Sequence, residues 1–209
     1  QPTLAKTLKK IAVNGAEDFY KGDIAKEIAE DFKKNGGWIT YSDLLNFPEP
    51  KEHKPLHVNY RGYDIYSFVP PGGGWQVLQV LNLLEQYNVN DLKVNTNERT
   101  LAMLNVLNLS HNDRLDNPIK DYSNFQTEID EKVSKSYAKS LFETSNNTSK
   151  SDADPEKKGH GETTHFSVID KDGVAVSVTS SVGAYFGSNT STKSLGFFYN
   201  SYLKSLMGF

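Results

Sequence analysis

The sequence predicts an α+β fold, and three observations predict it. Apolar residues recur at helical spacing through the first 34 residues and again in three later stretches. Two separate runs alternate apolar and polar residues around a glycine-containing turn, as hairpins do. Hydrophobic residues make up 37% and charged residues 23% of the 209 positions, which fits a chain that folds around a core and not a disordered one.

Taken in order, "TLAKTLKKIA" places Leu4, Leu8 and Ile11 on one helical face, and "DIAKEIAEDFKK" does the same with Ile24, Ile28 and Phe32. Residues 1–34 are therefore expected to be helical, with the "NGG" of Asn35 to Gly37 as the stop. "WITYSDLLNF" reads as a short turn of helix capped by Ser42 or Asp43. "LHVNY" and "YDIYSF" flank Arg61-Gly62 and read as a hairpin. "VPPGGGW" breaks the chain and leads into a helix from Trp75 to Tyr87. It has neither the Lys-Ser/Thr of a phosphate-binding loop nor G-x-G-x-x-G spacing after a strand, so it is a rigid turn and not a nucleotide site. "NERTLAMLNVLNLSHNDR" and "EIDEKVSKSYAKSLFE" are expected to be two further helices. From Thr144 to Glu162 the chain is dense in Ser, Asn, Asp, Lys and Gly and reads as a mobile surface loop. "THFSVID", "KDGV" and "AVSVTSS" then give strand, tight turn and strand, with hydroxyls on one face and Val/Ile on the other.

Composition excludes several classes. A net charge of −3 leaves no basic footprint for nucleic acid. No apolar run approaches the roughly 18 residues of a membrane span; "WQVLQVLNLLEQY" is interrupted by Gln, Asn and Glu. The absence of cysteine removes disulfides, thiol nucleophiles and cysteine-ligated metals together. Histidines at 53, 57, 111, 160 and 165 form no H-E-x-x-H pattern, so neither a metal nor any other cofactor is expected. The chain starts at Gln1 and stops at "LMGF", which reads as a piece of a longer product. The remaining parts of the same precursor are then expected partners.

One junction has the chemistry to be catalytic. "GHGETTHFSVIDKDG" runs a polar loop into Thr163 and Thr164 and straight on into a strand. A threonine hydroxyl is a poor nucleophile until an adjacent base takes its proton. If the Glu162–Thr163 bond is broken, the α-amine of Thr163, with a reference pKa of about 7.7–8.0, becomes that base on the same residue. Spacing alone does not distinguish this from an ordinary strand start.

"TTHFSVIDKDGVAVSVTSS" resembles the start of the small subunit in γ-glutamyltranspeptidases, a family of N-terminal-nucleophile hydrolases that cut themselves just before a threonine. Thr163, His165, Ser167, Asp172-Gly173, Thr179-Ser180-Ser181 and Phe186-Gly187 match that pattern. "QPTLAKTLKKIAVNGAEDFYKGDIAKEIAEDFKKNGGWITYSDL", "YRGYDIYSFVPPGGG", "LQVLNLLE" and "NDRLDNP" are similar to large-subunit landmarks in the same order. The family includes poly-γ-glutamate- and acylase-type members.

The resemblance implies part of an N-terminal-nucleophile αββα sandwich. Residues 1–162 would belong to the large-subunit-like region and residues 163–209 would begin the small-subunit-like one. Thr163 is similar to the nucleophile and Glu162–Thr163 to the scissile bond; Ser181 stands where a second threonine bonds the nucleophile's oxygen. Gly183 stands where the family has a substrate-contacting Asn, and Tyr202 and Ser205 replace the Gln/Glu and Asp that grip the substrate's α-amino group, while Asn200 is retained. The family's carboxylate-binding arginine and Gly-Gly oxyanion donors would lie outside these residues. The implied activity is a self-processing γ-glutamyl hydrolase or transferase, with water, an amino acid or a peptide as acceptor. The alternative is an altered or inactive member, acting on poly-γ-glutamate or an acylase-type amide or serving as a binding protein. Family members are commonly exported or face the cell exterior, and that location is the one implied here.

Overall fold

The computed structural model describes residues 1–145 and 161–203. In chain order the helices α1 (Pro2–Asn14), α2 (Ala16–Tyr20), α3 (Asp23–Lys34) and α4 (Tyr41–Leu45) come first. Strands β1 (Leu56–Tyr60) and β2 (Tyr63–Ser67) follow, then helices α5 (Gly74–Leu84), α6 (Asn97–Asp116), α7 (Gln126–Lys132) and α8 (Lys135–Ser145). Strands β3 (Gly161–Ile169) and β4 (Ala175–Ala184) complete the described elements. Each strand pair is a two-stranded antiparallel sheet of its own. The chain divides into two compact units, one of Gln1–Pro50 with the C-terminal segment and one of Lys51 onward.

In the first unit the helix expected over residues 1–34 is broken twice, at Gly15 and at Lys21-Gly22. The second break has a polar cause: the Asp23 N–H donates to Asp18 Oδ1 at 2.8 Å, satisfying a donor that the new helix start would leave orphaned. α3 ends at Lys34 as the "NGG" predicts. The cap of α4 is Thr40 and not Ser42 or Asp43. Thr40 accepts from the Asp43 N–H while the Asp43 carboxylate accepts from the Thr40 N–H, a reciprocal capping box with Asp43 as its second member.

Ile24, Ile28 and Leu195 form the core of this unit, with Ile11, Phe32, Phe197 and Tyr199 packed around them. Fully burying each of the three central side chains stabilises by roughly 1.5–3 kcal/mol. Two polar ties add direction to the packing. Thr7 Oγ1 donates to the Leu195 carbonyl at 2.8 Å, and the Tyr199 hydroxyl donates to Asp31 Oδ2 at 2.9 Å. The chain that follows β4 is thereby fixed onto α1 and α3.

In the second unit β1 and β2 turn through Arg61 and Gly62, both at positive φ. A non-glycine residue there is strained, and Arg61 is held by its surroundings. Its N–H donates to Glu85 Oε1 at 2.9 Å, and its guanidinium donates to the carbonyls of Leu84 and Tyr87. Leu56, Val58, Trp75, Leu78, Phe125 and Ile129 bury one cluster between the hairpin and α5 and α7. The stretch "EIDEKVSKSYAKSLFE" is two helices and not one, because Ser134 Oγ accepts from the Tyr137 N–H and starts α8 afresh. Of the expected loop over 144–162, Thr144 and Ser145 close α8 and Gly161 and Glu162 open β3; the rest lies outside the described residues. Among the described residues no helix is long and apolar enough to cross a membrane.

Tyr137 and Tyr199 supply a pH prediction. Burial, reinforced by the adjacent Asp113 and Asp31, pushes both phenols well above their ordinary value of 10.0. A folded pKa above the unfolded one means stability is full below about pH 10 and falls as pH rises past it. The thermal midpoint is expected to drop across about pH 10–12, and Tyr199→Phe should flatten part of that slope. An identical slope in the variant would remove Tyr199 from the explanation.

Candidate active site

The hairpin β3–β4 carries its side chains by strict alternation. Thr163, His165 and Ser167 share one face with their partners Ser181, Thr179 and Ser177. On that face His165 Nδ1 lies 2.7 Å from Thr179 Oγ1, and its Nε2 lies 3.2 Å and 3.1 Å from Ser167 Oγ and Ser177 Oγ. The face is a ladder of five hydroxyls and one imidazole. The other face presents Phe166, Val168 and Val176, each about half exposed within the described residues. The period-2 reading holds for residues 165–168 and their partners 176–179; beyond them Thr164 and Ser180 place a hydroxyl pair on the apolar face and Ile169 lies on the hydroxyl face.

The ladder's end holds the residues of interest. Thr163 Oγ1 donates to Ser181 Oγ at 3.0 Å, across a directly opposed pair. Ser181 Oγ also accepts from the Gly183 N–H at 3.1 Å. One oxygen thus receives two donors, which fixes where the Thr163 proton points and leaves the Thr163 lone pairs free of that contact. Between Glu162 and Thr163 the pairing slips by one: Glu162 lies opposite Gly183 and Thr163 opposite Ser181, so Val182 is an extra residue on β4. Such a bulge bends its strand and increases the local twist. It falls opposite the Glu162–Thr163 bond.

Gly183 does not stand in open space. Its φ is +88°, and a Cβ added there would run into Ser201 Oγ. Ser201 grips the peptide groups on both sides of it: the Ser201 N–H donates to the Val182 carbonyl at 2.9 Å, and Ser201 Oγ accepts from the Ala184 N–H at 2.8 Å. The glycine reading of a missing side chain is met by a neighbour that fills the same volume. Tyr202 is about half exposed, and its N–H donates to Asn200 Oδ1 at 3.1 Å. Ser205 and His160 lie outside the described residues. A cleft of about 570 Å³ is bordered by Asp31, Asn35, Asn189, Asn200 and Ser201; neither Thr163 nor Ser181 lines it.

Thr163, Ser181 and Gly183 therefore converge, and Ser201 joins them without having been singled out from the sequence. Its one sequence signal was indirect: a glycine at 183 requires something else to occupy the space. Among the described residues no group of three histidine or carboxylate side chains is placed to hold a metal ion.

The sequence profile of the Gamma-glutamyltranspeptidase family matches residues 1–208. The chain is 37% identical over 194 residues to the glutathione hydrolase proenzyme of Escherichia coli (strain K12), covering 90% of this chain and 33% of that protein. It is 33% identical over 205 residues to the capsule biosynthesis protein CapD proenzyme of Bacillus anthracis, covering 98% and 36%. The crystal structure of Helicobacter pylori gamma-glutamyltranspeptidase superposes with a TM-score of 0.63 at 35% identity, over 69% of this chain and 41% of that one. A cephalosporin acylase from Bacillus halodurans shares the fold with a TM-score of 0.76 at 24% identity, over 95% and 35%. The chain spans about a third of the length of the curated relatives it matches. Its α+β architecture is part of the N-terminal-nucleophile fold of these hydrolases, and the chain belongs to the γ-glutamyltranspeptidase family.

Proposed function

We propose that the protein is a self-processing amide hydrolase and acyltransferase acting on γ-glutamyl compounds, with Thr163 as its nucleophile. The observation that carries this is the Thr163 Oγ1 to Ser181 Oγ hydrogen bond beside the bulged Glu162–Thr163 pairing. In the precursor, Thr163 Oγ attacks the Glu162 carbonyl carbon, and the acyl group passes from nitrogen to oxygen. Water then cleaves the resulting ester. The products are a Glu162 carboxylate and a Thr163 with a free α-amine, and the chain divides between these two residues.

The new amine is the general base. It takes the hydroxyl proton as Thr163 Oγ attacks the γ-glutamyl amide carbonyl, and the departing amine leaves with a proton. Having nucleophile and base on one residue supplies much of the positioning that a separate base would require. In the resting state Ser181 Oγ accepts a hydrogen bond from the Thr163 hydroxyl and so orients the oxygen. Water releases the acyl group as acid; an amino acid or peptide amine takes it as a new amide. The relatives named as glutathione hydrolase and CapD proenzymes support both the precursor form and the bond class.

The Gly183–Ser201 packing favours an altered substrate within this class. With the volume at 183 filled by a neighbouring hydroxyl and Tyr202 in the following loop, the described residues offer no carboxylate or amide at these two positions for a free α-amino group. Poly-γ-glutamate or an acylase-type amide fits that better, because specificity built on a polar pair is steep when the partner is missing. The test compares turnover of a γ-glutamyl anilide, glutathione and poly-γ-glutamate by cleaved and uncleaved protein. Activity is expected only in step with cleavage, and greater on the polymer. Turnover by wholly uncleaved protein contradicts the mechanism, and a cleaved protein inert towards all three points to a binding role instead.

A further inference from the structure

We propose that Ser201 is a positioning residue for the nucleophile, acting through Gly183 and Ser181; this rests on the function proposed above. Three observations meet at one point. The extra residue of the bulge, Val182, has its carbonyl held by the Ser201 N–H at 2.9 Å. The next peptide, between Gly183 and Ala184, donates the Ala184 N–H to Ser201 Oγ at 2.8 Å. Between them Gly183, at φ +88°, turns its own N–H onto Ser181 Oγ at 3.1 Å, and Ser181 Oγ is the atom that accepts the hydrogen bond from the Thr163 hydroxyl.

Ser201 therefore clamps the bulge from both sides, and the clamp decides where the Gly183 N–H points. Without it the peptides on either side of Gly183 lose their fixed partners. A glycine has the widest conformational choice of any residue, so release there costs more order than at any other position. The clamp also explains why residues 183 and 201 match each other. The volume a side chain at 183 needs is the volume that Ser201 Oγ occupies. Neither residue has to touch substrate for this role. Ser201 is itself tethered, because the loop carrying it is packed onto α3 through Tyr199 and Asp31.

The experiment is a cycle of variants in the full-length protein, read by the rate of Glu162–Thr163 cleavage and by amide hydrogen exchange. Ser201→Ala is expected to slow cleavage about tenfold, the equivalent of one lost hydrogen bond. It should speed exchange of the Gly183 and Ala184 amides while leaving the Val168–Val176 end of the hairpin protected. Ser201→Thr keeps the oxygen and is expected to recover most of the rate. Gly183→Ala should be more damaging than Ser201→Ala alone. In the Ser201→Ala background the same change should cost less, because the clash with Oγ is gone and only the positive φ remains.

Equal cleavage rates and equal exchange in Ser201→Ala would overturn the proposal while leaving Thr163 as nucleophile. Additive effects of the two substitutions would do the same, since uncoupled residues do not clamp one another. If the parent folds and never cleaves, the proposed function falls. Hydrogen exchange then decides the clamp by itself, and unchanged protection at Gly183 and Ala184 overturns it.

Discussion

Replacing Asp113 with alanine is expected to destabilise the second unit by about 3–5 kcal/mol, the range for removing one partner of a buried ion pair. Asp113 is 3% exposed and receives four side-chain donors. Lys132 Nζ and Gln79 Nε2 reach Oδ2, each at 2.9 Å, while the Tyr137 hydroxyl at 2.5 Å and Asn117 Nδ2 at 3.0 Å reach Oδ1. Burial pushes the Asp113 carboxyl up, but the bonds from Tyr137, Gln79 and Lys132 outweigh it and hold it below its ordinary 3.8. The stabilisation is therefore present above about pH 4 and is lost as pH falls through the folded value. Without the carboxylate, Lys132 is left as a buried charge between the rings of Trp75 and Tyr137, each about 5.5 Å away. Lys132→Met should cost less, because Asp113 keeps three neutral donors. Denaturant unfolding of the variants checks this, with Asp113→Ala approaching the whole stability of an ordinary domain. A loss below about 1 kcal/mol for Asp113→Ala would mean that the network relaxes freely.

The largest effect on activity is expected from Thr163→Ala. The methyl group offers no nucleophile, so self-cleavage stops and substrate turnover falls on the order of 10⁶-fold, the scale for a hydrolase stripped of its nucleophile. Stability should hardly change, because Thr163 is exposed and its hydroxyl donates to Ser181, a partner at the hairpin's end. Thr163→Ser keeps the hydroxyl and is expected to cleave more slowly, since the lost methyl frees χ1. Residual cleavage by Thr163→Ala at the parental rate would place the nucleophile elsewhere. In the proposed mechanism the base is an amine generated by cleavage, so the turnover of processed protein should rise with pH through about 7.7–8.0.

Much of this was legible in the residues, for reasons that differ by element. The β1–β2 hairpin and α5 declared themselves through periodicity, because each turns one apolar face towards a core, whereas β3–β4 shows the same alternation with its apolar face half exposed. The division of residues 1–34 into three helices did not: the second break depends on Asp18 accepting from the backbone five residues ahead, which apolar spacing cannot register. The break between α7 and α8 hid for the same reason in Ser134. The buried network around Asp113 was invisible. "NDRLDNP" reads as a charged helix end, and only packing shows that one of its carboxylates is covered by Lys132 and Tyr137.

At the candidate site the sequence supplied the atoms and not their arrangement. Thr163 and Ser181 were nameable from their residue types and from family pattern, but their pairing across the hairpin depends on a one-residue slip in register that alternation does not reveal. Gly183 read as a lost contact. In the fold it is a turn of backbone occupied from outside by Ser201, eighteen residues later in the chain. That partnership depends on how the loop after β4 is anchored to α3, which is a tertiary fact.

The measurement that bears most directly on Thr163 as a self-generated nucleophile is the intact mass of the full-length protein during incubation, with N-terminal sequencing of each new fragment. Two fragments separated at Glu162–Thr163, the second beginning Thr-Thr-His-Phe, are predicted. A protein that remains whole while demonstrably folded, or that breaks at another bond, would contradict it.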